Sequence, residues 1–166
     1  MSTTRWLAAD EQLVWRALLD ATRLLYEEID GQLQRDSGLS HADYEILVRL
    51  SEAPERTLRM SDLAGRTRFS RSRLSHAATR LEGKAYVVRS SCPSDQRGTL
   101  ATLTDAGFAA LGAAAPGHVD AVRRALLDPL APEQVAQLGS IASVIRDQAI
   151  RRSGREGRRS AGSAVS

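Results

Sequence analysis

Between Asp10 and Asp36 the apolar residues Val14, Leu18, Ala21, Leu25 and Ile29 recur at spacings of three and four, which lines them along one face of a helix. Gly38 ends that helix. Ser40, followed three residues on by Asp43, has the form of an N-cap with a first-turn acid that favours the helix dipole. The helix it opens, His41 to about Ala53, turns Tyr44, Leu47 and Val48 to one side, with Leu50 at the edge, and stops at Pro54. Ile46 falls outside that face, so this helix is expected to be covered on two sides. Thr57, Leu58 and Arg59 allow a minimal strand, and Ser61 is placed to cap a short helix from Asp62 to about Thr67 that buries Leu63 and Ala64. Ser70 is the next expected N-cap, with Phe69 and Leu74 at the two positions of a hydrophobic staple. The helix that follows reaches about Gly83 on a core stripe of Leu74, Ala77, Ala78 and Leu81.

The period then changes. Tyr86, Val87 and Val88 form a short β-branched and aromatic run, Thr99 to Leu103 forms another, and the polar segment from Ser91 to Gly98 between them holds Pro93 and Gly98. This pattern predicts a long-looped hairpin. Thr104 and Asp105 cap a further helix from Ala106 to about Leu127, which Pro116-Gly117 should kink or interrupt. Pro132 and Glu133 suit the first turn of a last helix whose apolar positions Val135, Leu138, Ala142, Ile145 and Ala149 make a seam for another helix. Beyond Ile150 the chain is rich in Arg, Gly and Ser, and residues 151–166 are expected to be a disordered tail. The order of helix, turn, basic helix and hairpin is that of a winged helix-turn-helix. The fold class expected is mainly α with a small β-hairpin wing: a lobe at 37–105, and a helical dimerisation region at 1–36 and 106–150.

Charge sharpens this picture. The net charge of +3 over 166 residues hides a segregation: residues 56–97 hold ten Lys and Arg against Asp62, Glu82 and Asp95, a local balance of +7, whereas residues 1–55 balance to −6. A duplex is a dense line of phosphate charge, so an attracting patch must be local, and here it coincides with the motif. No run approaches the roughly 18 to 20 apolar residues that span a bilayer, and the N-terminus leads into no signal-peptide stretch, so a cytoplasmic protein is expected, with no membrane partner. One cysteine, Cys92, allows no intramolecular disulfide. Lys84 is the only lysine among the basic residues.

With Leu74 set as the inward direction, Ser72, His76, Thr79 and Gly83 fall on the outward side of the basic helix, with Ser75 at one edge and Arg73 and Arg80 at the other. Short polar side chains allow a helix close approach to base edges, and arginines reach phosphates or guanine. Ser72, Ser75, His76 and Thr79 are therefore the expected base contacts, with Arg73 able to serve either role. Ser70, Arg71, Arg80 and Arg89 complete the expected DNA-binding set with the wing residues Asp95 and Arg97. Arg97 can insert into a narrow minor groove. Asp95 would repel phosphate, so its expected role is an internal salt bridge that fixes the hairpin or orients an arginine such as Arg89.

Leu39-Ser40 before Tyr44, Leu47 and Leu50, the run Ser61-Asp62-Leu63-Ala64, the helix from Leu74 to Leu81-Glu82, Val87-Val88-Arg89, Asp95-Gln96-Arg97 and Leu103-Thr104-Asp105-Ala106-Gly107 together resemble the MarR family of transcriptional regulators. The resemblance spans about residues 10–150. It implies a homodimer, with N- and C-terminal helices as the dimerisation region and one winged lobe per subunit on a pseudo-palindrome in double-stranded DNA. Two departures stand out: Ala85, where the family usually has glycine, and His76, where arginine is frequent. The residues agree on the dimer, because two lobes about 34 Å apart would read adjacent major grooves. Its expected interface includes Trp6, Leu7, Val14, Leu138, Ile141 and Ile145. The family also implies a small lipophilic or phenolic effector held between dimer region and lobe; Trp15, Tyr26, His41 and Tyr44 are the candidates to line its site, although aromatics at helical spacing are more often core.

Together these features predict a sequence-specific transcriptional regulator, with repression the expected mode because a dimer on a promoter occludes polymerase. The alternatives are a sequence-tolerant architectural DNA-binding protein, a winged module that binds protein instead, or a redox-responsive regulator using Cys92 beside Arg89 and Arg97. No enzyme is expected: His41, His76 and His118 have no metal-ligand spacing, and neither a phosphate loop nor a nucleophile elbow occurs. No cofactor and no metal are expected.

Overall fold

A computed structural model describes residues 4–92 and 95–162, with the side chains of 96, 97 and 153–162 left aside. Helix α1, Ala9–Ser37, ends at Gly38, whose φ of 64° gives the left-handed turn that glycine adopts without strain. Only its last third is buried, at Ile29, Gln32 and Leu33. Val14 and Leu18 on the same stripe stay exposed. Helix α2, His41–Ser51, opens with a reciprocal cap: Ser40 Oγ accepts the Asp43 N–H at 3.1 Å, and the Asp43 carboxylate accepts the Ser40 N–H at 3.2 Å. Tyr44, Ile46, Leu47 and Leu50 are all buried, so α2 is covered on two sides as Ile46 foretold.

Strand β1, Thr57–Arg59, runs directly into α3, Met60–Thr67. Ser61 is not the cap expected of it. Pairing of Arg59 with Leu100 keeps the chain extended to the strand's last residue, so Arg59 takes the N-cap position and Ser61 falls inside the first turn. Leu63 is buried and Ala64 half-buried. Helix α4, Arg71–Gly83, has the expected cap, Ser70 Oγ accepting the Arg73 N–H, and buries Leu74, Ala77, Ala78 and Leu81. Phe69 packs half-buried against the core that holds Leu74. After α4 the chain turns through Ala85 at φ 57°, the left-handed region in which a side chain costs about 1–2 kcal/mol. The turn is held by the Tyr86 N–H to the Leu81 carbonyl at 2.9 Å and by Thr104 Oγ1 to the Ala85 carbonyl at 2.8 Å.

Strands β2, Val87–Cys92, and β3, Asp95–Leu103, pair antiparallel, and β1 pairs on the other side of β3, giving the order β1-β3-β2. Both wing strands are longer than the apolar runs predicted, because ladder hydrogen bonds need no apolar side chains. A register shift at Ser91/Cys92 absorbs the irregularity. Helix α5, Asp105–Val122, is capped by Thr104, whose Oγ1 accepts the Gly107 N–H at 3.0 Å. Gly107 lies so close to the wing root that a Cβ there would come within 2.2 Å of the Tyr86 carbonyl oxygen. Pro116 does not interrupt the helix: α5 continues through it to Val122. The irregularity comes later, as a π-helical turn at Arg123–Leu127.

The chain divides into two compact units between Ala125 and Leu126. The first holds the core, with Leu33, Ile46, Leu47, Leu50, Leu63 and Leu81 fully enclosed. The second is α6, Pro132–Gly162, with its approach. This helix continues to Gly162, through most of the segment expected to be disordered; residues 163–166 lie outside those described. Leu138, Ile141, Val144 and Ile145 are exposed along it.

Candidate nucleic-acid interface

Helix α4 divides cleanly. With its four apolar residues buried, Arg71, Ser72, Arg73, Ser75, His76, Thr79 and Arg80 are all exposed. The backbone N–H groups of its first turn give the N-terminus a partial positive charge. Ser72, Ser75, His76 and Thr79 therefore stand exposed, as the helical wheel placed them. Ser70 is engaged twice, by the Arg73 N–H and by the Ser72 hydroxyl at 3.2 Å, which makes it a cap first.

The arginines are less free than their sequence positions imply. Arg73 lies over the Phe69 ring, 4.2 Å from its centroid. Arg80 donates to Asp43 Oδ1 at 2.8 Å, reaching across to α2. At the wing root, Arg89 Nε donates to Glu82 Oε2 at 2.7 Å, its NH2 nitrogen also reaches Glu82, and that nitrogen donates to Thr79 Oγ1 at 3.2 Å. Glu82 also accepts the Arg89 backbone N–H at 3.1 Å. Hydrogen bonding from Arg89 is the main reason the Glu82 carboxyl is held below its ordinary value. Glu82, not Asp95, thus orients Arg89, because it sits one turn from Thr79 on α4 and faces the start of β2.

Asp95 has the internal partner expected of it, but a different one: Arg59 of β1, at 3.4 Å. Arg59, Ser61, Ser75, Arg89 and Asp95 line a crevice of about 410 Å³ between α4 and the wing. Arg59 was not singled out in the sequence, and no local signal marks it; it reaches the wing only through the pairing of β1 with β3. The Arg97 side chain lies outside the described residues. Cys92 is buried at 5% exposure, which sets it among inert thiols and against the redox reading.

A larger cavity of about 980 Å³ opens beside α4. Tyr26 and His41 line it together with Arg68, Arg73, His76 and Arg80. The other two effector candidates do not: Tyr44 is buried against His118, ring centroids 4.3 Å apart, and Trp15 is exposed on the outer part of α1. Tyr26 meets His41 edge-on at 5.1 Å. Burial raises the Tyr44 pKa and lowers that of His118, with the His41 charge a second cause for His118. His118 was assigned no place there from sequence. Among the described residues no cluster of three His, Cys, Asp or Glu could hold a metal ion, and no helix is long and apolar enough to cross a membrane.

The profile of the MarR family matches residues 37–98. Sco3205, a MarR family transcriptional regulator from Streptomyces coelicolor whose crystal structure was determined in complex with DNA, is 51% identical over 89% of this chain and 92% of its own, with a TM-score of 0.85. AbsC, a MarR family transcriptional regulator from the same organism, is 45% identical over 88% of this chain and 98% of its own, with a TM-score of 0.81. No curated protein sequence matches significantly.

Proposed function

The chain belongs to the MarR family of transcriptional regulators, and from that premise we propose that it binds DNA as a homodimeric repressor of a pseudo-palindromic operator. The observation that carries the reading is the outward face of α4, where Ser72, Ser75, His76 and Thr79 stand exposed opposite a fully buried stripe. Such a face admits close approach to base edges, and the arginine-bearing wing root beside it suits the flanking backbone. The DNA complex of the 51% identical protein supports the same partner here.

Unpartnered apolar side chains support the dimer. Trp6, Leu7 and Val14 ahead of and on α1, and Leu138, Ile141 and Ile145 on α6, are exposed, and runs of this kind mark contact surfaces. The cavity beside α4 supports release by a small lipophilic or phenolic effector, since Arg73, His76 and Arg80 line it and an occupant there would bear on the recognition face.

Selection of bound duplexes from a random pool tests the reading. A symmetric motif with half-sites about 10 base pairs apart is expected; recovery of no enriched sequence would overturn sequence-specific regulation. Ile141→Glu with Ile145→Glu should sediment as a monomer, and a dimer that persists would move the interface elsewhere.

A further inference from the structure

The recognition helix α4 is tied down at two points along one side, and neither tie uses the hydrophobic core. Arg80 donates to Asp43 Oδ1 at 2.8 Å, and Lys84 Nζ, just past the end of α4, donates to the Gly38 carbonyl oxygen at 2.5 Å. Both acceptors belong to the corner that joins α1 to α2. Asp43 is 95% enclosed there, and its second oxygen accepts the Ser40 N–H that begins α2. Burying a carboxylate is costly unless it is hydrogen-bonded and paired, so Asp43 gains from keeping Arg80 in place. Arg80, in contrast, is half exposed on the edge of α4 that also carries Arg73, and Arg73 is laid over Phe69. The two arginines on that edge are therefore turned toward protein.

Building on the DNA-binding reading above, we propose that Asp43 is a positioning residue for DNA recognition. Through Arg80 it sets the angle at which α4 presents Ser72, Ser75, His76 and Thr79, and Arg80 spends its charge on this strut and takes no phosphate. Lys84 fixes the far end of the same helix to the same corner. Sequence recognition then depends on a residue that touches no DNA, while attraction to any duplex rests on other cations such as Arg71.

The test compares wild type, Asp43→Asn, Arg80→Gln, the double variant and Arg71→Gln on the selected duplex and on random duplex across a salt series. Asp43→Asn and Arg80→Gln should each weaken the selected duplex about tenfold, as one mismatched base pair does. They should leave random-duplex affinity and its salt slope unchanged, and the double variant should be no worse than either single one. Arg71→Gln should instead lower the slope by about 0.9, as expected for one phosphate lost. A similar fall in slope for Arg80→Gln, or tighter binding by Asp43→Asn, would overturn the proposal, because Arg80 would then be a phosphate contact. Hydrogen exchange of the amides of residues 71–83 in the free protein, which needs no DNA, should be faster in Asp43→Asn; unchanged exchange counts against the strut. Wild type that binds no duplex would end the DNA reading, and the exchange result alone would then decide the clamp.

Discussion

Gly107→Ala should destabilise the protein although alanine is the better helix former. Gly107 lies in the first turn of α5, where the replacement would ordinarily gain about 1 kcal/mol. Here the new Cβ would stand 2.2 Å from the Tyr86 carbonyl oxygen and 2.7 Å from Leu103 Cδ1, whereas real Cβ contacts essentially never fall under 3.0 Å. The obstacle is backbone, and that carbonyl also accepts the Thr104 N–H at 3.0 Å, so it cannot swing aside without loosening the cap of α5. Overpacking of this kind costs about 1–3 kcal/mol and the lost cap about 1 more, against the gain from propensity. The net expectation is a loss of roughly 2 kcal/mol. Gly112→Ala on the same helix is the control: nothing lies within 4 Å of its Cβ, so it should gain about 0.5–1 kcal/mol. Urea unfolding followed by circular dichroism, at one fixed protein concentration because a dimer's stability depends on it, should move the two midpoints in opposite directions, about 1 M apart. A Gly107→Ala midpoint at or above wild type would refute the close approach.

Ala85→Gly should raise stability by up to about 1 kcal/mol in the same assay, because φ 57° is a region where glycine carries no side-chain strain. Glu82 has its carboxyl pKa lowered by Arg89, so the pair's contribution is complete above the ordinary value of 4.5 and is lost as pH falls through the lowered folded value. Glu82→Gln should flatten that part of the acid limb, seen as a smaller drop in urea midpoint between pH 5.5 and pH 3.5. His118 is held below 6.5 by burial and by His41, so the unfolded chain takes up its proton first. Stability should therefore decline as pH falls below 6.5 toward the depressed folded value, and His118→Phe should remove that decline from unfolding midpoints at pH 7.5 and 5.5.

The helices were readable because each carries its own periodic signal. The stripe Leu74, Ala77, Ala78 and Leu81, the caps at Ser40, Ser70 and Thr104 and the extra burial of Ile46 all follow from spacing within a dozen residues. Contacts between elements were not readable in this way. Asp43 meets Arg80 37 residues away and Arg59 meets Asp95 across 36, and both pairs exist only because α2 packs on α4 and β1 on β3. Ser61 missed its place as a cap because strand pairing, invisible in the local residues, set where α3 begins. Pro116 lies inside α5 without interrupting it, which no local residue foretells. For the candidate interface, the residues expected on the outward face of α4 are exposed, whereas which arginines are engaged by protein partners required the fold.

The grip of Glu82 on Arg89 shifts an entropy loss from one event to another. An arginine that is ordered only when DNA arrives gives up about 0.5–1.5 kcal/mol of rotamer freedom at that moment. Arg89, bonded to Glu82 by its side chain and its backbone and to Thr79 by its guanidinium, has already given up that freedom when the chain folds. Under the proposed DNA-binding function, a cation immobilised in advance would add affinity without adding a contact. Its loss in Glu82→Gln would speed dissociation while diffusional capture stayed nearly the same. Under the same proposed function, the lifetime of the bound complex would depend in part on Glu82, the acid that orders this arginine.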